Sequence, residues 1–292
     1  MSVLLVCGVI WLPSSAEISG RLILRRLDNR FMQHVTLTLN AAGVALPAQK
    51  AADTAAHVVA AALNSITDEH LAEPWLSGFG ISYRFNGPAA SIEERRITYE
   101  SWLLGKGFQD ITKGIREMLE EAYVFVSALS WEPRLTTQEE LEQDIASLRR
   151  RAEKLNLPML LEEVNRALMT PLTYGTELLS LQRARNCLEH RRGIVGEQDI
   201  DPNTLAMTLS FPRLKMYYMR GDQEIEIAPG EVIDTGNEML EAPILVRQAE
   251  RLRTYDLGER IILTAADFNE IAMACHMLAD DLLQKLPASG RE

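Results

Sequence analysis

Residues 176–193 read TELLSLQRARNCLEHRRG, and this stretch decides how the chain is organised. Leu178, Leu181 and Leu188 share one side of a helical wheel, which predicts a helix from Thr176 to about His190. Gly193 follows where a helix C-terminus favours the residue without a Cβ. The last turns carry Arg185, Asn186 and His190, and the other histidines stand far off at 34, 57, 70 and 276. An arginine can hold a phosphate in bidentate fashion. An imidazole can take and return a proton near neutral pH. Metal-independent RNA cleavage needs both.

With 24 arginines and 5 histidines in 292 residues, chance supplies about 0.4 occurrences of Arg-x4-His. Requiring asparagine after the arginine, with 10 in the chain, lowers this to roughly 0.01. Arg185-Asn186-x-x-x-His190 at the end of an amphipathic helix resembles the Arg-x4-6-His motif of the HEPN superfamily, whose arginine is often followed by asparagine or another polar residue. The resemblance covers about residues 95–286, is strongest over 176–193 and does not include residues 1–90. It implies a helical bundle that tends to dimerise. It also implies either an endoribonuclease of toxin–antitoxin, phage-defence or RNA-processing type, or a relative without catalysis that serves as a binding or dimerisation module.

Carried onto this chain, the resemblance implies Arg185, Asn186 and His190 as the catalytic group. Arg183, which satisfies Arg-x6-His, is a rival for the arginine's role and a phosphate contact, together with Arg191 and Arg192. The expected partners are RNA, a second copy of the chain and an antitoxin-like or regulatory protein; no cofactor, metal or membrane is expected. Helical geometry sets a difficulty. Arg183, Asn186 and His190 share a face, whereas Arg185 stands about 140° from His190. One phosphate could then meet both only if the helix ends or unwinds near His190, or if two motif helices share a site across a dimer. The bland alternative is an i,i+4 ion pair between Arg185 and Glu189, with His190 placed at the helix C-terminus where a cation is mildly favoured.

Composition narrows the field. A net charge of −11 argues against a broad polyanion-binding surface, so any RNA contact must be a local basic patch. Cys7, Cys187 and Cys275 are scattered without a CxxC, which fits neither a disulfide framework nor a zinc site and suggests a reducing cytoplasm. The apolar run 3–12 is too short to span a bilayer and lacks a basic segment before it, so a buried strand is expected there. No Gly-rich phosphate loop, nucleophile elbow or Cys/His metal pattern is present.

The expected fold is mainly α: a HEPN-like helical bundle over 91–292, with a β-hairpin insertion at about 203–235 and a smaller α/β region over 1–90. Residues 1–45 read as strand-like, with period-two alternation at 35–39, and a helix is expected to open at Pro47 and run to Ile66. A further strand is expected at 79–85, and Asn86-Gly87-Pro88 marks the boundary. A long helical pattern at 92–130 is interrupted by Gly105-Lys106-Gly107, a kink or a split. A capping box at Thr137 starts a helix through Leu155, Pro158 opens a shorter one to about Met169, and Thr264 caps a final helix to about Leu286. Between the last two, residues 214–219 and 224–227 read as a hairpin around Gly221-Asp222. Tyr217 and Tyr218 on it are candidates for stacking a base, one of them more naturally core. Arg149-Arg150-Arg151 with Lys154 reads as a solvated basic face rather than an RNA groove.

Overall fold

The computed structural model describes residues 19–28, 31–72, 90–132, 137–227 and 243–287. The expected strands at 3–12 and 79–85, and the breaker at 86–88, lie outside them. Strands β1 (Ser19–Asp28) and β2 (Phe31–Asn40) pair antiparallel, with Ser19 opposite Asn40. Helix α1 (Ala41–Ser65) follows at once. Its start is set by Asn40, whose side chain accepts from the Gly43 amide, and not by Pro47, which sits inside the helix. Six helix-competent residues precede Pro47, and burial of Ala41, Val44 and Ala45 offsets the donor that proline lacks. A short α2 (Asp68–Ala72) precedes α3 (Ile92–Leu129), and α4 (Gln138–Lys154) and α5 (Leu157–Ala167) follow it.

Local chemistry writes several of these boundaries. Ser91 with Glu94 and Thr137 with Glu140 form reciprocal capping boxes that satisfy the first free amides of α3 and α4. The α3 helix runs unbroken through Gly105 and Gly107, so those glycines neither kink nor split it. Gly107 is instead a contact point. A Cβ there would lie 2.6 Å from the Phe268 ring and 2.7 Å from Val59. Gly114 likewise lets α1 approach, since a Cβ would collide with that of Ala51 and come 2.8 Å from the Pro47 carbonyl. Gly105 meets nothing within 4 Å. Gly105→Ala should therefore stabilise the protein by about 0.5–1 kcal/mol through helix propensity. Gly107→Ala should destabilise it by about 1–3 kcal/mol through overpacking, and urea denaturation of the two variants should give opposite signs.

The motif helix α6 (Gly175–Arg191) leads to a three-stranded antiparallel sheet of order β4-β3-β5, built from β3 (Ala206–Arg220), β4 (Gln223–Glu226) and β5 (Leu245–Asp256). The predicted hairpin is β3–β4, with Arg220 opposite Gln223 and Gly221 in the left-handed region at its turn. Strand β5 was not foreseen, and it pairs with β3 from Ala206–Asp256 to Tyr217–Leu245. The protein is thus mainly helical with a small antiparallel sheet packed on α6 and on α7 (Ala265–Lys285).

The apolar stripe of the last helix, Ile271, Cys275, Leu278, Leu282 and Leu286, is buried throughout. It belongs to one buried core with Phe108, Ile111 and Met118 of α3, and α1 packs on α3 and α7 in the same core. Gln49 of α1 also donates to Asp280 of α7 at 3.0 Å. Helix α1, assigned from sequence to a separate N-terminal region, therefore shares its core with the helices beyond residue 91. Among the described residues, no helix is long and apolar enough to cross a membrane.

Candidate functional site

Helix α6 buries Leu178, Leu181, Ala184 and Cys187 and turns its charged positions outward. It remains helical through Arg191, so His190 lies within regular helix and no unwinding occurs there. Two consecutive left-handed residues, Arg192 at φ 55° and Gly193 at φ 78°, then end it, with the Gly193 amide donating to the Cys187 carbonyl. The chain next pairs with the segment ahead of α7: the Val195 amide reaches the Glu259 carbonyl at 2.9 Å and the Ile261 amide reaches the Gly193 carbonyl at 2.8 Å. This pairing places Arg260 beside Arg192, whose carbonyl accepts from it at 3.0 Å.

The wheel angle between Arg185 and His190 is bridged by Glu189, which stands between them on the helix surface. Arg185 Nη2 lies 2.5 Å from Glu189 Oε2, and His190 Nε2 lies 3.9 Å from the same oxygen. The ion pair that the bland alternative called for is therefore present, and the histidine meets the same carboxylate oxygen. His190 has 64 % of its side chain exposed and makes no hydrogen bond among the described residues. Asn186 accepts from Gln182 Nε2 at 2.8 Å, and its own Nδ2 has no partner among the described residues.

Two of the predicted phosphate contacts are occupied elsewhere. Arg183 donates to the Thr208 carbonyl at 3.1 Å and the Asp199 carbonyl at 2.8 Å, which ties α6 to β3 and the intervening loop. Arg191 pairs with the buried Asp199 at 2.5 Å, and Asp199 also accepts from the Gly196 amide. Neither guanidinium joins the group around Glu189, because loop carbonyls and a buried carboxylate claim their donors. Arg191 also bears on Cys187. Burial and the Asp199 charge push that thiol above its usual value, and Arg191 opposes them.

Arg192 is exposed and pairs with no carboxylate among the described residues. Sequence reasoning missed Arg260, which no local pattern links to a helix 68 residues earlier. Of the other candidates, Tyr217 lies under the Arg247 guanidinium at 5.5 Å, and neither it nor Tyr218 is buried. Arg149–Arg151 and Lys154 form an exposed face, with Arg149 3.6 Å from Glu121. Among the described residues, no group of His, Cys, Asp and Glu could hold a metal ion. Comparison with protein-family models, curated proteins and solved structures returned no match.

Proposed function

We propose that the chain is a metal-independent endoribonuclease of HEPN type, with Arg185 and His190 as its reacting pair. What supports this reading is their convergence on one anionic oxygen, Glu189 Oε2, from two sides of an intact helix. A scissile phosphate entering there takes the carboxylate's place. A surface i,i+4 pair contributes only about 0.3–0.5 kcal/mol, so a phosphodiester, with one negative charge shared over two acceptor oxygens, can replace the carboxylate.

In this reaction His190 removes the proton of the ribose 2′-hydroxyl, and the resulting oxygen attacks phosphorus. The bond from phosphorus to the 5′-oxygen breaks, the leaving oxygen takes up a proton from water, and His190 returns its own to the solvent. The products are a 2′,3′-cyclic phosphate and a 5′-hydroxyl. Arg185 bears the charge that builds on the phosphate oxygens, and Asn186 Nδ2 supplies a further donor. Arg192 and Arg260 extend the basic patch along the strand. The fold class this carries is a HEPN-like bundle. Its expected assembly is a homodimer with the motif helices near the two-fold axis, which sedimentation would report as twice the chain mass.

The test is incubation of purified protein with mixed cellular RNA in EDTA, beside a His190→Ala control, with end analysis for the cyclic phosphate. Glu189→Gln separates the two roles open to Arg185. If the arginine serves the phosphate, Arg185→Ala lowers kcat by about 10²–10³ and Glu189→Gln retains it. If the ion pair is all that matters, both variants behave alike. Protein that binds RNA without cutting it would instead favour the binding module, a reading to which the occupied guanidinium of Arg185 lends weight.

A further inference from the structure

Next to the motif lies a groove of about 680 Å³, walled by the first half of α3, the end of α6 and residues 260–263. Its apolar surface includes Trp102, Ile97 and Ile262, all more than half exposed, with Trp102 at 62 %. An apolar patch left open in this way marks a contact surface. Three cations line the same groove: Lys106, Arg192 and Arg260. Lys106 donates to Gln109 and Arg260 to the Arg192 carbonyl, and none of the three pairs with a carboxylate among the described residues. The carboxylate that faces them, Glu189, is engaged by Arg185.

Gly105 adds a separate observation. It lies on the same helical face as Trp102, three residues on, and it lines the groove. No packing requires a glycine there, since a Cβ would meet nothing within 4 Å. A mid-helix glycine costs about 0.5–1 kcal/mol relative to alanine. What it provides is open space beside the indole.

We propose that this groove is a base-binding subsite for single-stranded RNA, in which Trp102 stacks on a nucleobase while Arg192 and Arg260 hold the neighbouring phosphates. It rests on the RNA reading given above. An aromatic face beside a cationic rim is the arrangement that single-stranded nucleic acid requires. In a chain of net charge −11, such a local cluster is what makes a polyanion contact possible. A second copy seated in the groove itself suits it less well, because a two-fold contact uses the same patch of both copies and would bury both sets of these unpaired cations at one interface.

The experiment measures fluorescence anisotropy of a labelled 2′-O-methyl oligoadenylate, whose blocked 2′-oxygen removes cleavage from the readout. Trp102→Ala should weaken binding about 10-fold or more, and Trp102→Phe should stay within about threefold of the original chain. Gly105→Leu, which fills the slot without touching the core, should weaken binding as Trp102→Ala does. Thermal melts at or above that of the original chain would exclude misfolding. Wild-type affinity in both Trp102→Ala and Gly105→Leu overturns the subsite, as does failure of the original chain to bind the oligonucleotide. If these variants instead split a dimer and leave the anisotropy unchanged, the groove belongs to a second copy and the proposal fails. Binding that depends on Trp102 in a protein that does not cut RNA sinks the nuclease and keeps the subsite. Cleavage with kcat/KM indifferent to Trp102 does the reverse.

Discussion

Replacing His190 with alanine should lower the rate of RNA cleavage by on the order of 10²–10⁴, the usual contribution of a positioned proton-transfer group. Because the ring is exposed and makes no hydrogen bond among the described residues, its loss should leave the melting temperature unchanged. That separation of activity from stability is the informative part, since a merely structural histidine would show the opposite. Arg185→Ala should cost about 10²–10³ in kcat, as loss of a single donor to a developing oxyanion does. Arg185→Lys should recover little, because an ammonium cannot reproduce the planar fork. Arg183→Ala should behave differently. Its donors are spent on the Thr208 and Asp199 carbonyls, so the variant should lose stability while keeping kcat. Cleavage unaltered by His190→Ala, or cleavage only with added metal, would return the motif to a C-terminal ion pair.

What could be read from sequence follows the range of the forces involved. The boxes at Thr137 and Thr264 were legible because a cap is made by residues three apart, and the stripe at 271–286 because burial imposes helical spacing. Gly105 and Gly107 look alike in sequence, yet one faces open space and the other faces Phe268; only the neighbouring helix distinguishes them. Strand β5 was missed because its polarity is inverted. Arg251, Arg253 and Tyr255 point inward and Leu252 outward, so the alternation that signals a half-buried strand carries charges on its covered face. At the site, the residue types and the Arg185–Glu189 pair were legible; the ties that hold Arg183 and Arg191 and the approach of Arg260 were not. On an ideal wheel Glu189 stands about 40° from Arg185 and about 100° from His190, so the carboxylate between them links the two. The bonds holding Arg183 and Arg191 are made to residues in β3 and the loop before it.

Those inverted charges set the second large effect. Asp267→Ala should destabilise the protein by about 3–5 kcal/mol, the cost of removing one partner from a buried ion pair. Asp267 is almost wholly buried at the third position of α7, where it accepts from the Thr264 amide at 2.9 Å and completes that helix's capping box. It also accepts from Arg253 at 2.6 Å and from Arg251, so one carboxylate fastens β5 to the start of α7. Glu270 takes a second Arg251 donor at 2.7 Å but reaches neither Arg253 nor the cap. Burial alone would raise the Asp267 pKa, yet the Thr264 amide and hydroxyl and the Arg253 guanidinium hold it below its ordinary value of 3.8. A carboxyl lowered on folding contributes stability that is complete above that ordinary value. The contribution fades as pH falls through the lower, folded one. The gap between the original chain and Asp267→Asn in urea denaturation should therefore be full at pH 7 and shrink below about pH 4; a gap independent of pH would exclude the charged network as its source. The consequence reaches the motif as well. Arg253 also donates to the Ile262 carbonyl at 3.3 Å, and Ile262 belongs to the wall that faces Trp102 and carries Arg260. Loosening β5 from α7 should thus weaken oligonucleotide binding in protein that is still folded, at temperatures below the main unfolding transition.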